Sequence, residues 1–202
     1  MLLNLKSSRW LTLLLLCLIL TNCSFISKPD TCECSHCLAK SSLSGELKEL
    51  VSGTGKLAED VADVCACRPW NRSLIKVEQG QTYVFSILEE TEEWVDGSVA
   101  STPETGWLNP FLRFGGATIA FLKRSDKANW YALVGALDSS DADSFVIFEP
   151  NWTSGEERNG SLIASRPITM TRDGELYFYA NDMNGRYFNN KGGLRLHIRR
   201  IK

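Results

Sequence analysis

Short runs of alternating apolar and polar residues fill the chain from about Arg68 to the C terminus. The last run, LRLHIRRI, places Leu194, Leu196 and Ile198 on one face and its Arg and His residues on the other. This period of two residues is typical of β-strands with one buried face. Gly, Asn, Asp, Ser and Pro separate the runs, as turns require. The sequence therefore predicts an all-β fold, an antiparallel β-sandwich of about eight or nine strands over residues 68–202.

Cysteine is confined to the N-terminal part of the chain, where all seven Cys residues lie at or before Cys67. Beyond the apolar N-terminal run they form two clusters, CECSHC and CAC. Between the clusters, Leu and Val recur at roughly helical spacing, and SGTG interrupts the pattern. We therefore expect residues 23–67 to form a short helical, Cys-bearing stalk or linker that precedes the sandwich.

Two interpretations fit these clusters. In an oxidising compartment the cysteines are disulfide partners that close a small helical hairpin. The candidates are Cys32, Cys34, Cys37, Cys65 and Cys67. The alternative is a metal site that includes His36, but zinc sites usually space their Cys pairs as C-x₂₋₄-C, whereas both clusters here contain C-x-C. The spacing favours disulfides and leaves their pairing open.

Residues 1–22 have the pattern of an export signal. Lys6 and Arg9 precede WLTLLLLCLIL, a run far shorter than the roughly 20 residues that a transmembrane helix needs. The following ILTNC resembles a bacterial lipobox with Cys23 as the lipidation site, although Asn22 replaces the small residue usual there. We expect an exported, membrane-anchored lipoprotein of the cell envelope. An uncleaved N-terminal anchor and plain secretion are the alternatives.

The charge and the residue types exclude some classes of function. Without residues 1–22 the chain loses two of its 22 basic residues and none of its 24 acidic ones, so the net charge moves from −2 to −4. With no basic stripe, we expect no nucleic acid partner. The two His residues, His36 and His197, are far apart in sequence, and no GxSxG motif occurs. We therefore expect no enzymatic activity.

The segment NDMNGRYFNNKGG, residues 181–193, lies between two predicted strands and is rich in Asn and Gly. A hairpin turn needs a Gly and an Asn, because both tolerate left-handed backbone, but it does not need this many amides. Amide and carboxylate oxygens are ligands that Ca²⁺ accepts. The segment is therefore either a turn alone or a turn that also holds a metal.

Three blocks of the sequence resemble the bacterial calcium-dependent galactophilic lectins (PA-I type), whose fold is a galactose-binding-like, jelly-roll β-sandwich. The blocks are GQTYVFSI with the following WVDG, then NWYALVGAL, then GELYFYANDMNGRYFNNKGGLRLHI. The resemblance covers roughly residues 75–201. It implies that side-chain oxygens of Asp182, Asn189 and Asn190 bind Ca²⁺, with backbone carbonyls of Arg186 and Asp96, and that the ion holds two hydroxyls of a sugar.

One stretch departs from that family. STPETGWLNPFLRFGG contains neither the His nor the Gln that contact the exocyclic hydroxyl in those lectins, so galactose itself is not implied. Trp107, within this stretch, is the candidate for stacking on a sugar ring. We therefore expect a calcium-assisted, carbohydrate-binding protein, with the type of sugar unassigned. The alternative is a structural or protein-binding envelope module with no sugar ligand.

Overall fold

The computed structural model describes residues 48–49, 59–109, 111–112, 119–148 and 164–202, all within the unit Cys32–Lys202. Its strands are β1 (Lys48–Glu49), β2 (Glu59–Cys65), β3 (Asn71–Val77), β4 (Thr82–Asp96), β5 (Val99–Thr102), β6 (Gly106–Trp107), β7 (Leu133–Leu137), β8 (Ser144–Val146), β9 (Ile168–Thr169), β10 (Gly174–Ala180) and β11 (Asn190–Arg200). Short 3₁₀ helices span Ala120–Leu122, Asp141–Asp143 and Tyr187–Asn189. No helix in these ranges is long and apolar enough to cross a membrane.

The strands form two sheets. The first has the order β1-β3-β10-β7-β8, and the second has the order β2-β11-β4-β5-β6 with β9 paired to β4. Neighbouring strands are antiparallel, except that β1 pairs with β3 in parallel. The mostly antiparallel β-sandwich that the alternating pattern predicts is therefore confirmed.

The core consists of alternate residues from both sheets. Leu194, Leu196 and Ile198 of β11 are fully buried in one cluster with Leu176 and Phe178 of β10. Full burial of such side chains stabilises the fold by about 1.5–3 kcal/mol each. The period of two in the last run therefore identifies the residues that hold the sheets together.

Strand β2 consists of residues that the spacing of Val61 and Val64 predicts to be helical. It pairs with β11 from Glu59 opposite Arg199 to Cys65 opposite Gly193. Val64 is buried, whereas Val61 is 41% exposed, so the two valines do not share a face. Pairing with β11 satisfies the backbone groups of the segment, and this tertiary contact overrides a weak local pattern.

The helical prediction is therefore wrong for residues 59–65, and also for Lys48–Glu49, which form a strand. The predicted domain boundary between residues 67 and 68 falls inside the sandwich, because β2 is part of its second sheet. Residues 1–47 and 50–58 lie outside the described residues.

The ends of β4 and β11 lie side by side and position the polar site. Asn190, the first residue of β11, is the register partner of Asp96, the last residue of β4. Gly97 then turns the chain into β5 with φ +60°, a conformation that favours glycine. A Cβ at Gly97 would lie 3.2 Å from Asn189 Nδ2, so the turn packs closely against the β10–β11 connection.

Candidate metal centre

Four polar side chains converge where the β4–β5 turn meets the connection between β10 and β11. They are Asp96, Asp182, Asn189 and Asn190. The Gly97 N–H donates to the Asn189 carbonyl oxygen at 3.1 Å, so the backbone also joins the two connections. The structure thus brings together Asp96 and Asp182, which are 86 positions apart in the sequence.

Each amide of this cluster donates to a carboxylate. Asn189 Nδ2 lies 3.0 Å from Asp96 Oδ1, and Asn190 Nδ2 lies 3.0 Å from Asp182 Oδ2. These contacts fix the amide orientation, because an amide oxygen in the same place would face a negative charge. The resemblance implies a role for the Asp96 backbone carbonyl, whereas the structure also brings its carboxylate to the cluster.

The amide oxygens of Asn189 and Asn190 are buried and have no hydrogen-bond partner. An unsatisfied buried acceptor costs about 1–3 kcal/mol, and most buried polar atoms in native proteins are satisfied. A bound cation is one partner that such oxygens accept. Ca²⁺ takes six to eight oxygen ligands from carboxylates, amides and carbonyls in flexible geometry, so the residues present fit this ion.

The electrostatics of the cluster also favour a cation. Asp182 is only 5% exposed, and burial, followed by the nearby Asp96 carboxylate, raises the pKa of Asp182. The Met183 N–H at 2.6 Å, the Asn190 amide and the Arg186 charge act in the opposite direction. No group of three or more His, Cys, Asp or Glu residues in the described ranges is placed to hold a metal. A site here therefore depends on its amides.

Trp107 lies at the edge of the cluster and contacts Asp96. Its indole Nε1 donates to Asp96 Oδ2 at 3.0 Å. Its ring stacks on Trp130 with the centroids 5.2 Å apart and the planes 8° apart. One ring face is therefore covered, and the N–H orients a carboxylate of the site. Stacking of Trp107 on a sugar stays a prediction.

Asn181 begins the Asn-rich segment but is part of the scaffold. It is fully buried, and its Oδ1 accepts the Ser125 N–H at 2.9 Å. Its Nδ2 donates to the carbonyl oxygens of Ser125, Ala128 and Asn129 at 2.8, 3.0 and 3.1 Å. The excess of amides in this segment thus has two explanations, because some hold the backbone and others surround the cluster.

Arg124, which the sequence did not indicate, lies in an aromatic cage beside the cluster. Its side chain is 1% exposed, and its guanidinium carbon lies 4.0 Å from the Trp70 ring centroid and 3.9 Å from that of Tyr179. Asp141 balances its charge at 2.7 Å. Cation–π contacts of a desolvated guanidinium contribute about 2 kcal/mol, so this arginine is firmly fixed.

Arg124 in turn holds two parts of the ligand-bearing connection. Its backbone N–H donates to the Asp182 carbonyl at 3.2 Å, and its Nη1 donates to the Tyr187 hydroxyl at 2.9 Å. Tyr187 begins the 3₁₀ helix that ends at Asn189, and its hydroxyl also donates to the Ala180 carbonyl. Arg124 thus contacts both ends of the connection, one through its backbone N–H and the other through its buried side chain.

The CAC segment after β2 also touches the cluster. The Ala66 N–H donates to the Gly192 carbonyl at 2.9 Å, and the Ala66 carbonyl accepts a longer hydrogen bond, 3.4 Å, from Asn190 Nδ2. Cys65 and Cys67, on either side of Ala66, are both disulfide-bonded. The segment expected to belong to a separate stalk is therefore part of the wall of the site.

Several predicted residues lie outside the part of the chain that the structure describes. They are Cys23, Cys32, His36, Cys34 and Cys37. Lipidation of the first, and disulfide or metal bonds of the others, stay predictions.

No protein-family model matches this sequence, and no curated protein matches it either. The resemblance to galactophilic lectins therefore stays a prediction, and any function has to be argued from the site itself.

Proposed function

We propose that this protein binds carbohydrate through a calcium ion held by Asp182, Asn189 and Asn190, with Asp96 contributing from the β4–β5 turn. The supporting observation is the pair of buried amide oxygens that have no partner next to two carboxylates. A cation in this position would be a partner for these oxygens and would offset the burial and the Asp96 repulsion that raise the pKa of Asp182.

In this proposal each residue has a separate task. Asp96 and Asp182 supply the negative charge, and Asn189 and Asn190 supply neutral oxygens whose direction is set by their N–H contacts to those carboxylates. The backbone carbonyl of Arg186 is a further ligand by resemblance. A bound calcium ion supplies open coordination positions for sugar hydroxyls.

We further propose that the protein is exported and held at the cell envelope by a lipid on Cys23. The apolar run after Lys6 and Arg9 supports this, and so do the disulfide bonds of Cys65 and Cys67, which persist in oxidising compartments. Cys23→Ser should abolish metabolic labelling with a fatty acid. Labelling that survives this substitution would contradict a lipid at this position.

The alternative is a structural or protein-binding envelope module with no sugar ligand. The exposure of Phe111 and Phe121, 88% and 81%, favours it, because exposed aromatic side chains are common at interfaces. This alternative does not require a cation at Asp182.

Calcium-dependent thermal unfolding of the purified full chain tests the proposed function. A ligand that binds only the folded state at about 100 times its Kd stabilises it by about 2.7 kcal/mol, so the Tm should rise by several degrees. Asp182→Asn should remove the rise. Asp173→Asn, at an exposed site immediately before β10, makes the same charge change and should retain the rise.

Two results would contradict the proposal in different ways. If millimolar calcium leaves the wild-type Tm unchanged, there is no calcium site. If calcium raises the Tm but no saccharide on a glycan array binds in its presence, the ion has a structural role and the alternative module is correct.

A further inference from the structure

We propose that the calcium-loaded site prefers anionic saccharides, sugars that carry a carboxylate or a phosphate, and that Arg186 receives the anionic group. This inference rests on the proposed function and specifies its ligand class. It starts from two exposed side chains, Arg186 and Phe188, that lie on the ligand-bearing connection and have no part in the cluster itself.

Arg186 and Phe188 lie on either side of the buried Tyr187, immediately before Asn189. The guanidinium carbon of Arg186 is 6.0 Å from the Phe188 ring centroid, and Phe188 is 64% exposed. Arg186 is the N-cap residue of the 3₁₀ helix that ends at Asn189. Both side chains therefore stand at the solvent-facing edge of the candidate calcium site.

The charges of the loaded site give Arg186 its role. Two carboxylates, Asp96 and Asp182, balance a divalent cation, and the amide ligands are neutral. Arg124 is buried and paired with Asp141 at 2.7 Å. Arg186 is the one basic residue among residues 181–189 of the connection and it is exposed, so its charge is available to a ligand in solvent.

A neutral sugar would use only the ion and the neighbouring polar groups. An anionic sugar would also accept hydrogen bonds from the planar guanidinium, which matches carboxylate and phosphate oxygens in pairs. Phe188 offers an apolar surface beside this contact, and a sugar ring that covers it buries that surface from water. We therefore expect Arg186 to set the ratio of the affinity for anionic sugars to that for neutral sugars. We expect Phe188 to contribute equally to the affinity for both.

The experiment uses the full chain saturated with calcium and measures affinity by isothermal titration calorimetry. The probes are galactose, galacturonate and galactose 6-phosphate. The corresponding glucose series is a second set, because the proposal does not specify which sugar ring binds. In at least one series an anionic sugar should bind about tenfold more tightly than its neutral counterpart. The preference should decrease as ionic strength rises, because salt screens an exposed charge.

Two variants separate the role of Arg186 from a general charge effect. Arg186→Gln retains the backbone carbonyl and should reduce the preference to within about twofold, while a calcium-induced rise in Tm persists. Arg199→Gln makes the same charge change on β11, nine residues beyond Asn190 and about 30 Å away, and should change neither.

Each other outcome has one meaning. Equal affinity of the wild type for neutral and anionic sugars overturns this inference and leaves calcium-assisted binding intact. A preference that persists in Arg186→Gln overturns the role of Arg186. Absence of any calcium-dependent saccharide binding overturns the proposed function together with this inference.

Discussion

Asn181 and Asn190 belong to the same connection and are both buried, yet they are used in different ways. All polar atoms of the Asn181 amide bond to the backbone of residues 125–129. Asn190 donates to Asp182 and Ala66, but its oxygen has no partner. Residue type and burial therefore do not distinguish a scaffold amide from a candidate ligand amide. What distinguishes them is whether every polar atom of the amide has a hydrogen-bond partner.

The largest expected effect is the loss of the scaffold amide. Asn181→Ala leaves the Ser125 N–H and the Ser125 carbonyl oxygen without this partner, whereas the carbonyl oxygens of Ala128 and Asn129 keep a second donor. Each unsatisfied buried group costs about 1–3 kcal/mol. We expect the free energy of unfolding to fall by about 4 kcal/mol, equally with and without calcium. Urea denaturation under both conditions measures it.

Asn190→Ala is the matched control for this comparison. It removes the hydrogen bond to Asp182 and the longer one to Ala66 together with an unsatisfied oxygen, so the metal-free protein should lose only about 1 kcal/mol. It should, however, abolish the stabilisation by calcium. Equal losses for Asn181→Ala and Asn190→Ala in both conditions would show that the two amides do not differ in role.

An intermediate effect is expected at the residue that supports the ligand-bearing connection. Arg124→Met retains much of the buried volume but loses the contacts to Tyr187, Asp141 and the aromatic rings. We expect the free energy of unfolding to fall by about 2–3 kcal/mol, because these contacts are desolvated. Calcium affinity should fall about tenfold, since the 3₁₀ helix with Asn189 is held less firmly.

Arg172→Met serves as the control for Arg124. Like Arg124, Arg172 forms ion pairs. It pairs with the carboxylates of Asp138 and Asp143, but its side chain is 38% exposed. Exposed ion pairs contribute about 0–1 kcal/mol, so this variant should lose less stability and keep its calcium affinity. A larger loss at Arg172 than at Arg124 would contradict the importance of the aromatic cage.

The smallest expected effect concerns pH. Because burial raises the pKa of Asp182 in the folded state, the folded protein without metal binds a proton more tightly than the unfolded chain. This group therefore adds stability as pH falls from above its folded pKa towards the ordinary Asp value of about 3.9, and the gain is lost as pH rises. The slope cannot exceed about 1.4 kcal/mol per pH unit.

Calcium should reverse this behaviour, because a ligating carboxylate has to be deprotonated. Unfolding free energies of the wild type and Asp182→Asn between pH 7 and pH 4.5, with calcium and with chelator, measure both slopes. In chelator, the free energy of unfolding of the wild type relative to Asp182→Asn should be greater at acidic pH. In calcium, it should be greater at neutral pH. Identical pH profiles for both proteins would contradict the role of Asp182.

The sequence predicted those elements whose information is local. The alternation of Leu194, Leu196 and Ile198 indicates a strand with one buried face, and the structure confirms it. Strand β2 could not be predicted in this way, because its apolar residues are few and Val61 and Val64 also fit a helix. What decides its conformation is the free edge of β11, a partner more than a hundred residues away.

The same limit applies to the site. The segment of residues 181–193 nominated Asp182, Asn189 and Asn190, and the structure places them with Asp96 in one cluster. Arg124 left no signal, because its neighbours Trp70 and Tyr179 are distant in sequence and become a cage only in the folded sandwich. Nor does the sequence show which Asn bonds to backbone and which retains an unsatisfied oxygen.

The position of Ala66 links the site to the redox state of the protein. Its carbonyl accepts from Asn190, and its neighbours Cys65 and Cys67 are held covalently as disulfides. A reductant that cleaves these bonds would release the strand end against which the Asn190 amide rests, so calcium affinity would fall in the dithiol form. Thermodynamic reciprocity then requires the converse, that calcium makes these disulfides harder to reduce by the same factor.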